Sequence, residues 1–390
     1  MPDGEGAVTA RIIEHIADVP SADWDALAGD DNPFVSHGFL NALEVTGCAT
    51  GRTGWLPQHM IMEDSAGRLI GAVPLYLKNH SQGEYVFDHG WAHAFERAGG
   101  DYYPKLQASV PFSPVTGPRL LAGAGAGTLE IQFAMARTLE TFCERMNISS
   151  VHVTFPTRGE WQVLGEAGWI QRRGRQFHWH NRGYESFDDF LGALMSRKRK
   201  SIRKERREVA EAGITVRALT GDEIEPRHWD AFYRFYIDTY DRKWGYPYLT
   251  REFFQVLQDT LPDKVVLVIA EHDGRPVAGA INLKGKHALY GRNWGCIEDH
   301  RFLHFECCYY QAIEFAIAHG LDTVEAGTQG PHKIQRGYLP TETYSAHFVR
   351  HAGLRDAIER FCEEESREVD YEIMAYGDHS PYRQDGTDAA

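Results

Sequence analysis

The sequence lacks the long apolar runs and the basic surplus that mark two large classes of protein. No segment reaches the roughly 18–20 consecutive apolar residues of a membrane span, and residues 1–10 carry no basic region followed by an apolar one. The formal net charge of −14 argues against a general nucleic-acid binder, because that role needs an excess of lysine and arginine. We therefore expect a cytoplasmic protein without a membrane span.

Cysteine is also scarce, with six residues and no Cys-x-x-Cys pair. Cys307 and Cys308 are adjacent, but neighbouring residues on a helix point about 100° apart and cannot form a relaxed disulfide. We expect reduced thiols, most of them in the core, and no bound metal.

The length of 390 residues and the 43% apolar content predict two globular domains. Strand-like pairs occur twice, each followed by a further extended segment, a long helix and a short strand. The pairs are 58–63 with 68–78 and 265–271 with 276–283, the helices are 128–146 and 303–319, and the short strands are 150–155 and 323–326. This repeated order predicts an α/β duplication with mixed antiparallel and parallel sheets.

The expected organisation has four parts. We predict an N-terminal domain over 1–182, a basic linking helix over 183–213, a C-terminal domain with the active site over 214–375, and a flexible tail over 376–390 that is rich in Gly, Asp, Ser and Pro.

The linking segment is predicted as one long helix over 186–212, and it carries eight cations within residues 197–207. Arg199 and Arg203 fall on one helical face, which could contact the phosphates of coenzyme A, of acyl carrier phosphopantetheine or of an RNA backbone. The alternative is a solvated face that Glu205 and Glu208 partly neutralise.

A loop dense in polar groups follows the strand at 323–326. Gly327 and Gly330 would let the backbone approach a ligand closely, while Lys333 and Arg336 could hold phosphates or a carboxylate. An ordinary glycine-rich turn is the alternative. Strand ends that face helix starts are where α/β folds hold ligands. We therefore expect substrate contacts from Arg292, Asn293, Trp294, His304 and Gln329.

Acyl transfer to an amine needs a base, a donor to the oxyanion and an acid for the leaving group. The candidate bases are Glu306, Glu325 and His332, with Glu306 favoured. Tyr338 could protonate a leaving thiolate, although a buried tyrosine with a satisfied hydroxyl is an equal alternative.

Several spaced segments carry a resemblance to a known family: SRKRKSIRKE at 196–205, HFECCYYQ at 304–311, GPHK at 330–333, RGY at 336–338, GAVPLY at 71–76 and YGR at 290–292. Together they resemble the bacterial Fem-like predicted N-acyltransferase family of the GNAT superfamily, from about residue 33 through 354. The resemblance implies two tandem GNAT-like domains and transfer of an acyl group from acyl-CoA or acyl carrier protein to an amine of a small molecule or peptide.

One departure from that pattern concerns the donor. The usual acetyltransferase pyrophosphate signature is missing, and residues 298–303 fill its place in the second half. We therefore do not expect acetyl-CoA in the ordinary pose. The basic helix supports, as an alternative, a Fem-type transferase that uses aminoacyl-tRNA and acts on a peptide or cell-wall precursor. A non-catalytic peptide-binding module is a third.

Overall fold

The computed structural model describes residues 8–125, 127–242, 246–327 and 330–383. It divides into two compact units, one formed by 1–174 with 342–369 and the other by 175–341 with 370–390. The chain thus returns to the first unit after Thr341. The predicted boundaries at 182 and 214 do not include this return, because sequence order alone does not show which strands pair.

The elements that lie wholly in the first unit precede residue 167. Its strands are β1 (Thr9–Ile13), β2 (Trp55–Pro57), β3 (His59–Glu63), β4 (Leu69–Val73), β5 (Leu75–Lys78), β6 (Lys105–Ala108) and β7 (Ser150–Thr154). Its helices are α1 (Ser21–Ala28), α2 (His37–Val45), α3 (His89–Arg97), α4 (Thr128–Arg145) and α5 (Arg158–Glu166).

The remaining elements form the second unit, except that three of them continue between the units. The strands are β8 (Ile170–His180), β9 (Ile214–Thr220), β10 (Val265–His272), β11 (Arg275–Lys284), β12 (Ala288–Cys296), β13 (Thr323–Glu325) and β14 (Leu339–Val349). The helices are α6 (Phe187–Ala193), α7 (Ser196–Glu211), α8 (Pro226–Arg242), α9 (Arg251–Thr260), α10 (Leu303–Phe305), α11 (Gln311–Ala318) and α12 (Ala352–Gly377). Those that continue between the units are β8, β14 and α12.

Each unit contains one parallel strand pair between antiparallel strands. In the first unit the strand order is β2-β5-β6-β7-β14 with β6 and β7 parallel, beside a separate antiparallel sheet β1-β3-β4. In the second unit the order is β8-β13-β12-β11-β10-β9 with β12 and β13 parallel. The predicted mixed α/β class is confirmed.

The sheet of the first unit has one apolar face and one polar face, and both are buried. Leu106 and Val151 belong to the apolar core, whereas the alternate residues Lys105 and His152 point to the other face. There the Lys105 ammonium donates to Glu84 at 2.7 Å and also to Asp88. Buried polar groups of this kind must find partners within the protein, and these do.

The structure differs from the predicted linking helix and from the first part of the predicted tail. The helix expected over 186–212 is broken at Leu194, which is buried, extended and bridged to Tyr382. Tyr382 is itself buried, and its hydroxyl donates to the Gly337 carbonyl at 2.8 Å. Residues 376–383 are therefore packed within the second unit instead of fraying, while 384–390 lie outside the described residues.

The helix expected over 303–319 is present but irregular. Between α10 and α11 the five residues Glu306–Tyr310 form a π-helical turn. Such turns change which side chains share a face, because they bond residue i to i+5. None of the helices formed by the described residues is long and apolar enough to cross a membrane.

Candidate active site

The site begins where two parallel strands separate. The pairing of β12 with β13 covers only Ala288–Tyr290 and Thr323–Glu325, after which β13 ends and β12 continues to Cys296. On its other side, the register of β12 against β11 shifts so that Arg292 is the extra residue of a bulge. A gap thus opens beside the second half of β12.

A cavity of about 250 Å³ lies in this gap. Its lining includes Asn282, Gly291, Arg292, Asn293, Trp294, His304, Cys308, Tyr309, Ala326, His332 and Lys333. Six of these were predicted from the sequence: Arg292, Asn293, Trp294, His304, His332 and Lys333. The structure therefore brings the strand-end residues and part of the polar loop to one place.

His332 faces the cavity in contact with Tyr309. Its Nε2 lies 3.0 Å from the Tyr309 hydroxyl. Partial desolvation, and then the positive charges of Arg336 and Lys333, lower the pKa of His332 below its usual value. The imidazole is therefore neutral at pH 7 and able to accept a proton.

Lys333 is buried, and its ammonium donates to two main-chain oxygens, those of Ala326 at 2.5 Å and Gly327 at 3.1 Å. Burial lowers the pKa of Lys333 to about 8. An ammonium held by neutral acceptors beside a cavity is suited to stabilising negative charge on a bound molecule.

The guanidinium of Arg336 binds groups of the protein itself. It donates to Glu205 at 2.9 Å and to the His332 carbonyl at 2.8 Å, and it lies 3.4 Å from the centroid of the Phe305 ring. It therefore positions the segment that carries His332. Arg336 also borders a second cavity of about 240 Å³, lined in addition by Arg197, Lys198, Ser201, Ile202, Glu205 and Gln335.

The favoured base, Glu306, does not line the first cavity. Its buried carboxylate accepts hydrogen bonds from Arg206 at 2.9 Å and from Gln311 at 2.8 Å. Glu325 is also outside the lining, with Oε2 3.9 Å from Nε2 of His178. The structure therefore separates both carboxylates from His332.

Tyr338 is fully buried, and its hydroxyl donates to the Tyr309 carbonyl at 3.2 Å. Burial raises the pKa of Tyr338 well above its usual value. Tyr338 is therefore a buried tyrosine with a satisfied hydroxyl, which is the alternative to its predicted role as an acid. It does not line the cavity.

The other predicted contacts are placed elsewhere. Arg203 is exposed and pairs with Asp188 at 2.8 Å, and Arg199 is half-buried; neither lines either cavity. Gly327 and Gly330 have φ of 73° and 101°, in the region that favours glycine. Gln329 lies outside the described residues.

Tyr309 was missed by the sequence reasoning for a geometric reason. At ordinary helical spacing, residues 304 and 309 lie on different faces, whereas the π-helical turn brings their rings to 5.4 Å. The adjacent tyrosines at 309 and 310 can be seen in the sequence, but the π-helical turn that brings Tyr309 to the cavity cannot.

Comparison with known proteins shows the family. The model of the FemAB-like family, described as peptidoglycan biosynthesis/recognition, matches residues 15–384. Among curated proteins, none matches this sequence significantly.

Solved structures share the fold at low identity. The crystal structure of FemX is 11% identical, covers 87% of this chain and 98% of its own, and has a TM-score of 0.57. The C-terminal domain of a putative lysylphosphatidylglycerol synthetase from Agrobacterium fabrum is 10% identical, with 87% and 94% covered and a TM-score of 0.53. L-PGS from Bacillus licheniformis is 9% identical, with 82% and 94% covered and a TM-score of 0.51. The match over residues 15–384 shows that this chain belongs to the FemAB-like family.

Proposed function

We propose that this protein is an N-acyltransferase that moves an acyl group from a thioester to an amine within the cavity beside β12. One observation carries the proposal: a neutral His332 in contact with Tyr309 borders the same cavity as the buried ammonium of Lys333. A base and a cation at one cavity are the groups that aminolysis of a carbonyl compound requires.

The separated strands support a thioester donor. Beyond Tyr290, the edge of β12 that faces the gap has no pairing with β13. An extended chain with amide groups can hydrogen-bond to such an edge as an added strand. The phosphopantetheine arm of acyl-CoA or of acyl carrier protein has this character, so either molecule is the proposed donor.

The proposed reaction is a direct attack. His332 accepts a proton from the ammonium form of the acceptor and passes it to water. The resulting amine nitrogen forms a bond to the thioester carbonyl carbon, and His332 then accepts the second proton from this nitrogen. Lys333 stabilises the negative oxygen of the tetrahedral intermediate. The C–S bond then breaks, the amide is released, and the proton held by His332 reaches the leaving thiolate through the Tyr309 hydroxyl.

Cys308 supports direct transfer over an acyl-enzyme. It lines the cavity, but burial raises the pKa of its thiol far above the usual range. The thiolate is the nucleophilic form of cysteine, and it is absent at neutral pH when the thiol is buried in this way. The incoming amine therefore attacks the donor itself.

An aminoacyl-tRNA donor is the second candidate. Two of the similar structures are FemX and the C-terminal domain of a putative lysylphosphatidylglycerol synthetase. The second cavity carries Arg197 and Lys198 at the start of α7, within the segment of eight cations. These charges could hold RNA phosphates, and an aminoacyl ester carbonyl would be attacked in the same way.

A ligand screen separates the candidates, because a ligand that binds only the folded state raises the melting temperature. We would compare CoA, acetyl-CoA, a long-chain acyl-CoA and total tRNA at roughly 50 and 200 mM salt. Stabilisation by an acyl-CoA that persists at high salt, followed by release of free thiol with an amine acceptor, supports the thioester proposal. A response to tRNA alone, steeply weakened by salt, places the aminoacyl donor first.

The same screen, followed by the assay for released thiol, also tests the third alternative, a non-catalytic peptide-binding module. In that case neither donor would be consumed. His332→Gln and Lys333→Met would then retain the cellular role of the protein, as would the control His287→Gln at an exposed position.

A further inference from the structure

Three metal-binding side chains converge at a place outside the cavity lining. His272 ends β10, while Glu298 and His300 lie in the connection between β12 and α10. Nδ1 of His272 is 3.1 Å from Oε2 of Glu298, and Nε2 of His300 is 2.8 Å from the same oxygen. The three ligand atoms lie within 4.8 Å of one another.

We propose that His272, Glu298 and His300 bind a zinc ion. Two imidazole nitrogens and one carboxylate oxygen are a common protein ligand set for zinc. Tetrahedral coordination with bonds of about 2.0–2.1 Å separates neighbouring ligand atoms by roughly 3.3 Å. The two nitrogen–oxygen distances, 3.1 Å and 2.8 Å, lie close to that value.

The surroundings also suit an ion. The side chains of His272, Glu298 and His300 are 28%, 33% and 21% exposed, so water can complete the coordination shell. The two imidazole rings meet edge to face, with centroids 5.1 Å apart, and one nitrogen of each lies near the same oxygen of Glu298. This site departs from the expectation, drawn from the sequence, that no metal is bound.

A second His-Glu-His group in the first unit shows what an ordinary polar cluster looks like. His15 and His59 approach different oxygens of Glu44, at 3.8 and 2.8 Å. Both of those oxygens also accept from the Ile16 amide. The Glu44 carboxylate is thus occupied by the main chain, whereas Glu298 offers one oxygen to two imidazoles.

The zinc ion would tie two chain segments together. His272 precedes the turn between β10 and β11, and the connection with Glu298 and His300 leads directly into α10 and its π-helical continuation. His304, four residues after His300, lines the cavity. The proposed role is therefore structural: the ion fixes the start of the helix that supplies one cavity wall.

Isothermal titration of the chelator-treated full chain with Zn²⁺ tests the proposal. We expect one tight site and a rise in melting temperature on Zn²⁺ addition. His272→Gln and His300→Gln should each weaken the site at least about tenfold, while the matched control His15→Gln should leave it unchanged. Circular dichroism of each variant verifies that it is folded.

Either of two results would overturn the proposal. The wild type could take up no Zn²⁺, or His15→Gln could weaken binding as much as His300→Gln. Cobalt substitution adds a readout of ligand type, because a thiolate ligand produces an intense near-ultraviolet band. Such a band would assign the ion to cysteine and remove the proposed site, whereas a spectrum without it supports nitrogen and oxygen ligands.

Discussion

The hydroxyl of Tyr309 lies 3.0 Å from Nε2 of His332, joining a π-helical turn to the polar loop that follows β13. This contact gives the neutral imidazole a path for its proton. Arg336 secures the arrangement from behind through the His332 carbonyl.

Replacing His332 with glutamine should lower kcat by about 10²–10⁴, because the side chain proposed as the base would then be absent. Tyr309→Phe should lower kcat by less, since the imidazole remains. Steady-state rates with the donor and acceptor from the ligand screen provide the measurement, with His287→Gln as the control. Full activity of His332→Gln would remove His332 from the mechanism.

The pH dependence should reflect two groups at the cavity. The pKa of His332 is lowered, so kcat/KM should rise with pH through a midpoint below about 6.5, the usual value for histidine. Burial holds the pKa of Lys333 at about 8, so kcat/KM should fall as pH increases through that value and the ammonium is lost.

The variant Lys333→Met tests whether Lys333 causes the fall of kcat/KM at alkaline pH. We expect a low rate with no decline near pH 8, because the titrating cation is gone. An unchanged decline in this variant would assign that titration to another group.

Cys308→Ala should retain most of the activity, since burial keeps the thiol protonated and the proposed attack is by the amine. Mass spectrometry of the wild type mixed with donor alone should show no acyl-enzyme. A stable adduct on Cys308, or a loss of activity comparable to that of His332→Gln, would point to a covalent intermediate.

Glu306→Ala should affect stability and leave kcat close to that of the wild type. The substitution leaves the Arg206 guanidinium without its buried partner, which costs about 1–3 kcal/mol of unfolding free energy. Glu314→Ala is the matched control, because Glu314 also pairs with Arg206 but is half exposed. Denaturant titration measures both, and a large loss of kcat in folded Glu306→Ala would restore its role as the base.

Lys78→Met should stabilise the first unit at neutral pH. Burial lowers the pKa of Lys78 from 10.5 to about 6, so between these values the unfolded chain binds more protons than the folded one. Stability of the wild type should therefore rise with pH across this window, and the advantage of the variant should be greatest near pH 6. Thermal unfolding at several pH values checks this, and an advantage that does not change with pH would contradict it.

The sequence by itself determined much of this protein. Alternating apolar runs and turn residues are local signals, and they predicted the α/β class and the duplicated strand pairs. The expected strand ends and the polar loop after residue 326 predicted six residues of the cavity, including His332 and Lys333. These signals succeed because strand and helix periodicity depend on near neighbours in the chain.

Only the tertiary structure decided which polar groups meet. Glu306 is paired with Arg206, 100 residues earlier in the chain, and Tyr309 reaches His332 because five residues adopt a π-helical turn. Leu194 breaks the basic helix because it is bridged to Tyr382, in a segment expected to be a flexible tail. Pairing between distant residues depends on how whole elements pack, and neither local propensity nor the spacing of residue types contains that information.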